Sequence, residues 1–163
     1  MQQGNLKVKE KQFANSLILP EIVKMLDAGH TVTLRLKGYS MRPFLENGRD
    51  KALLVKPSEI RVGDPVLAEI APGQYVLHRI IDMSEEVVTL RGDGNLNIET
   101  CKRQDIKGAV IGFYRKGHDK LDMISGRKWR VYSFLWTRLF PIRRYLLYIY
   151  RHLLLKIFPI KIT

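Results

Sequence analysis

Between residues 31 and 115 turn residues cut the chain into short alternating stretches, and that rhythm permits few folds. Thr31-Val32-Thr33-Leu34-Arg35-Leu36 alternates polar and apolar, the period of a strand with one face buried. Further strands are predicted over 51–56, 65–70, 75–83, 87–91 and 109–115. Asn47-Gly48, Val62-Gly63-Asp64, Ala71-Pro72-Gly73 and Gly92-Asp93-Gly94 supply the turns between them. Many short strands at this spacing imply a mainly β, mostly antiparallel fold, either a partial barrel or a set of coiled sheets.

Helical patterns flank this region. Residues 1–12 are polar and are expected to fray. A helix is predicted over 17–29, with Pro20 at a first helical position, Ile22, Val23 and Leu26 on one face, and Gly29 as its C-terminal cap. From Trp129 onward the chain is aromatic, aliphatic and basic, divided by Pro141. On a helical wheel Ile142, Leu146, Ile149, Tyr150, Leu153 and Ile157 share one face, and Arg144, Arg151, His152 and Lys156 fall on or near the other, with Leu155 and Phe158 blurring the separation. Three parts are expected: an N-terminal arm and helix over 1–30, a β-rich body over 31–118, and a basic amphipathic helical tail over 119–163.

The net charge of +12 belongs mostly to the tail. No acid follows Asp122, whereas nine Lys and Arg do, which leaves +3 for the preceding residues. A cationic amphipathic helix suits an anionic membrane surface, and Trp129, Trp136, Tyr145, Tyr148 and Tyr150 favour that reading over a nucleic-acid or protein partner. Packing of the tail on the body is the plainer alternative. The absence of a signal-peptide pattern or an uninterrupted apolar span places the expected protein in the cytoplasm, or peripherally on the cytoplasmic membrane face. A lone Cys101 gives no disulfide framework. No metal-ligand spacing or phosphate-binding glycine loop appears, so neither metal nor cofactor is expected. The oligomeric state is left open.

Three compact stretches carry the chemistry: Gly38-Tyr39-Ser40-Met41-Arg42-Pro43, Leu77-His78-Arg79-Ile80 and Gly92-Asp93-Gly94-Asn95. A hydroxyl needs a base to act as a nucleophile at neutral pH, and the base needs a third group to orient it. Histidine suits the base role because its ordinary pKa of about 6.5 leaves it mostly neutral at pH 7. Ser40, His78 and Asp93 are therefore the candidate catalytic residues. Each has a plainer alternative: a turn serine, a structural histidine, an aspartate capping its own turn. Met41 is read as an apolar plug, and Asp50 and Asp64 as structural turn residues.

These stretches, with Pro57 and Ile60-Arg61-Val62-Gly63-Asp64, resemble the boxes of the signal peptidase I superfamily, which also contains the self-cleaving SOS-type repressors. The similarity spans residues 29 to 116. His78-Arg79 resembles the variants in which histidine replaces the usual lysine. The resemblance implies a β-rich peptidase body with Ser40 as nucleophile, His78 as general base and Asp93 as orienting acid. It implies cleavage of a leader, precursor or signal-like peptide after a small residue, through an acyl-enzyme. The chain departs from the pattern at Gly38, where many signal peptidases carry a serine that helps bind the oxyanion. Glu99 stands where the histidine variants often place a second aspartate, a supporting position. The usual N-terminal anchor pattern is missing. The alternative is a non-catalytic or self-cleaving regulator on the same fold, binding peptide, membrane or DNA.

Overall fold

The computed structural model describes residues 15–157; the polar stretch over 1–12 and the last residues of the tail lie outside it. The described chain is mainly antiparallel sheet, flanked by a helix at its start and helices at its end. Eight strands form the sheet: β1 (Val32–Arg35), β2 (Lys51–Val55), β3 (Pro65–Ala71), β4 (Gln74–Met83), β5 (Val87–Arg91), β6 (Glu99–Lys102), β7 (Ile106–Tyr114) and β8 (Leu121–Met123). Seven of them run β1-β2-β7-β3-β4-β5-β6, and every pairing is antiparallel. β7 is the long central strand. Its second half pairs with β2 on one edge, while β3 and then β8 share the other edge.

Strand alternation divides the apolar side chains between two cores. On β3, Leu67 enters one cluster, with Leu54, Val110 and Phe113, while its neighbours Val66 and Ala68 enter the other, with Ile80, Val88 and Leu90. Period-two packing dictates this: successive residues of a strand face opposite ways. The helix α1 (Asn15–Asp27) covers the first cluster with Leu19, Ile22 and Leu26.

α1 begins earlier than predicted, so Pro20 lies inside the helix and not at its first position. Its end matches the expectation. Gly29 adopts φ +86°, its N–H donates to Leu26 O, and the His30 N–H donates to Met25 O. This is the Schellman arrangement that favours a residue lacking Cβ.

Beyond residue 118 the chain continues against the sheet. β8 adds to the sheet, and α2 (Arg127–Arg138) sends Trp129 into the first core, against Phe44 and Phe113. After a 3-10 turn at Phe140–Ile142 come α3 (Arg143–Ile149), a π-helical stretch Tyr150–Leu154 and a closing turn Leu155–Ile157. Among the described residues no helix is long and apolar enough to cross a membrane.

Candidate active site

Ser40 sits in a turn between β1 and β2 that its own sequence fixes. Arg42 forms a bidentate ion pair with the buried Glu46, at 2.6 to 3.1 Å. The fully buried Asp50 accepts from the N–H groups of Glu46 and Lys116, at 2.8 and 2.9 Å, while Asn47 Oδ1 accepts from the Gly38 N–H at 2.9 Å. Gly38 itself has φ +88°, a conformation that costs little only without a Cβ. Met41 is buried in the first core beneath the turn, the place of a plug. Asp64 likewise binds a turn, accepting from the Arg61 N–H at 2.9 Å.

A small cavity of about 40 Å³ opens beside this turn, lined by Gly38, Ser40, Met41, Leu45 and Leu77 among others.

His78 and Arg79 are neighbours on β4, so strand alternation sends their side chains opposite ways. His78 is 3% exposed and places Nδ1 2.9 Å from Oε2 of Glu99, on β6. A carboxylate at that distance is an acceptor, so Nδ1 donates and the lone pair is left on Nε2. Nε2 is turned toward Gly92. A Cβ built on Gly92 would stand 3.0 Å from it and would also collide with the Ser40 carbonyl oxygen. The imidazole and the Ser40 turn are thus neighbours across the space of one missing methyl group. No hydrogen bond joins the Ser40 hydroxyl to His78 among the described residues; such bonds are often long before substrate closes the site.

Burial pushes the His78 pKa below the ordinary histidine value, and the Glu99 carboxylate opposes that shift only in part. A neutral imidazole with a free Nε2 follows at neutral pH, the protonation state a general base requires.

The loop after β5 packs against the Ser40 turn with equal closeness. The Gly94 N–H donates to Ser40 O at 2.7 Å, and a Cβ on Gly94 would stand 2.7 Å from Tyr39 O. Both glycines of Gly92-Asp93-Gly94 are therefore dictated by backbone contact.

Asp93 does not take the position the sequence suggested. Its carboxylate is held by the Arg79 guanidinium at 2.9 and 2.7 Å and by the Tyr132 hydroxyl at 2.9 Å. Its backbone oxygen accepts from Trp136 Nε1 at 2.9 Å. Arg79, 1% exposed, also donates to Gly63 O and lies 4.6 Å from the Trp129 ring centre. A carboxylate so occupied reaches His78 only as a distant charge, and the orienting hydrogen bond belongs to Glu99. The reason is topological. Glu99 begins β6, which pairs with β5 and faces β4 from beyond it, whereas Asp93 turns inward toward α2.

Four residues of this arrangement escape sequence reasoning: Arg79, Tyr132, Ser133 and Trp136. The available signal was weak: an arginine next to a strand histidine on an otherwise apolar strand must find a buried acid or remain unsatisfied. Cys101 shares β6 with Glu99, and burial pushes its thiol pKa up, away from the reactive thiolate. Among the described residues no three His, Cys, Asp or Glu side chains gather as a metal site. No protein-family model, curated protein or solved structure matches the chain.

Proposed function

We propose that the protein is a serine endopeptidase of the signal peptidase I type, with Ser40 as nucleophile, His78 as general base and Glu99 as the acid that fixes the imidazole. One observation carries the reading: a buried, neutral His78 is held through Nδ1 by Glu99 and turns Nε2 to the Ser40 turn across Gly92. In this reading Nε2 removes the hydroxyl proton as Ser40 Oγ adds to a peptide carbonyl. The same proton then passes to the departing amine, and water hydrolyses the acyl-enzyme. The Ser40 N–H is the first candidate donor to the oxyanion. The cavity beside Gly38 favours a small side chain on the acyl side of the cleaved bond, and a leader or precursor peptide supplies such a bond.

The test is covalent labelling of the purified chain by a serine-directed acylating probe, read by intact mass and peptide mapping. Label on Ser40, its loss in Ser40→Ala and a fall of about 10²–10⁴-fold in labelling rate in His78→Ala support the reading. A folded wild-type protein that takes no label and leaves small-residue precursor peptides uncut overturns it.

A further inference from the structure

The inner face of α2 is fully engaged: Trp129 and Trp136 are buried, Tyr132 binds Asp93 and Ser133 accepts from Arg79. The opposite face is neither core nor ordinary polar surface. Val131, Phe134 and Leu135 are all more than half exposed, and α3 repeats the pattern with Tyr145 at 62% and Tyr148 at 64%. Arg127, Arg130, Arg138 and Arg144 are interleaved with these side chains, and the Arg138 guanidinium lies 4.5 Å from the Phe134 ring centre. No acid pairs with Arg130 or Arg138 among the described residues, and no acid occurs in the sequence beyond Asp122. A groove of about 800 Å³ runs between the 59–64 turn and α2, with Arg130, Arg138 and Phe134 at its side. The acids of this groove, Glu59 and Asp64, lie on the 59–64 turn, across from α2.

Apolar side chains left outside, with arginines set between them and no acid on α2 or α3 themselves, match the interface of an anionic bilayer. We propose that α2 and α3 dock the protein on anionic phospholipid, lying in the interface plane with Phe134, Leu135, Tyr145 and Tyr148 inserted among the headgroups. Docked in this way, the candidate site stays close to the lipid. Arg151, which follows α3, donates to Gly94 O at 3.2 Å, and the Gly94 N–H is bonded to Ser40. Lipid docking requires no catalytic activity, so it stands or falls separately from the peptidase reading.

The experiment is vesicle co-sedimentation of the full chain, with phosphatidylcholine alone and with phosphatidylcholine mixed with phosphatidylglycerol. Binding to the mixed vesicles, weakened by added salt and unchanged in Ser40→Ala, is expected. Replacing Arg130 and Arg138 by Gln lowers partitioning about fivefold for each charge, the equivalent of ~1 kcal/mol per basic residue near the surface. Phe134→Ser combined with Leu135→Ser weakens binding even at low salt, with the melting temperature of each variant measured to show that it folds. Equal binding to both vesicle types, or to neither, overturns the proposal. So does vesicle binding untouched by these substitutions while they abolish a concentration-dependent dimer or nucleic-acid binding.

Discussion

Glu99 and Asp93 lie six residues apart, and the fold gives them different work. Glu99→Gln leaves the packing intact but presents an amide to Nδ1. Probe acylation is expected to fall by about 10²–10⁴-fold, the scale of a misoriented base, with little change in melting temperature. Asp93→Asn does the opposite, because it strands Arg79 in the interior. The expected loss is about 3–5 kcal/mol, read by denaturant unfolding. The pH profile separates the pair further. Burial holds the His78 pKa below its ordinary value, so wild-type acylation should fall with acid at a midpoint below about 6.5. Removing the Glu99 charge removes a contribution that raises this pKa, so Glu99→Gln moves the midpoint lower still. The sign for stability is the same. Since the unfolded histidine binds its proton more readily, stability falls as pH drops from about 6.5 toward the folded value. Gly92→Ala introduces a methyl group against a backbone carbonyl that cannot rotate away; a cost of about 1–3 kcal/mol by thermal unfolding is expected. Ser40 and His78 are candidates from their sequence boxes, and the fold brings the Ser40 turn and the His78 imidazole together at Gly92. The choice of acid is not legible there, because it depends on which strand lies beyond β5, a fact of topology and not of local pattern.

At the scale of elements, six strands were located from polar and apolar patterning and the turns between them, and in β2, β5 and β7 the fold buries alternate positions. Two strands left no such mark. β6 is a sheet edge on which no residue is fully buried, and β8 is only three residues long. Both matter: β6 carries Glu99, and β8 leads the chain into α2. The wheel drawn over 142–157 predicts one continuous helix, but the fold divides that segment, leaves Ile142, Ile149, Leu153 and Ile157 exposed, and buries Arg143 and Leu147. On α2 the fold covers Trp129, Tyr132 and Trp136 and leaves Val131, Phe134 and Leu135 outside, with Tyr132 and Trp136 donating to the carboxylate and the backbone oxygen of Asp93. Trp129→Ala should therefore behave as a core truncation and cost about 3–5 kcal/mol in unfolding experiments. A tail merely resting on the surface would show a change within about 0.5 kcal/mol.

For the molecule as a whole, the N-terminal helix, the sheet and α2 contribute side chains to the same first core. A chain ended at Ser125 loses Trp129, Tyr132 and Trp136 together, leaving the Arg79–Asp93 pair open to water and Phe44 with Phe113 alone of its ring neighbours. Loss of a single sharp melting transition is the expected result, measured by calorimetry. The charge asymmetry visible in the sequence survives at this scale as a directional field, with the basic end gathered on the helices. The shared anchorage of Asp93 also constrains how such a gene can change. Recombination that swaps the segment from α2 onward for foreign sequence strands a guanidinium in the interior, unless the incoming segment brings a phenol and an indole of its own at matching positions. Substitutions on the outward side of α2 meet no such constraint, so what that side adheres to can be retuned while the residues beneath are kept.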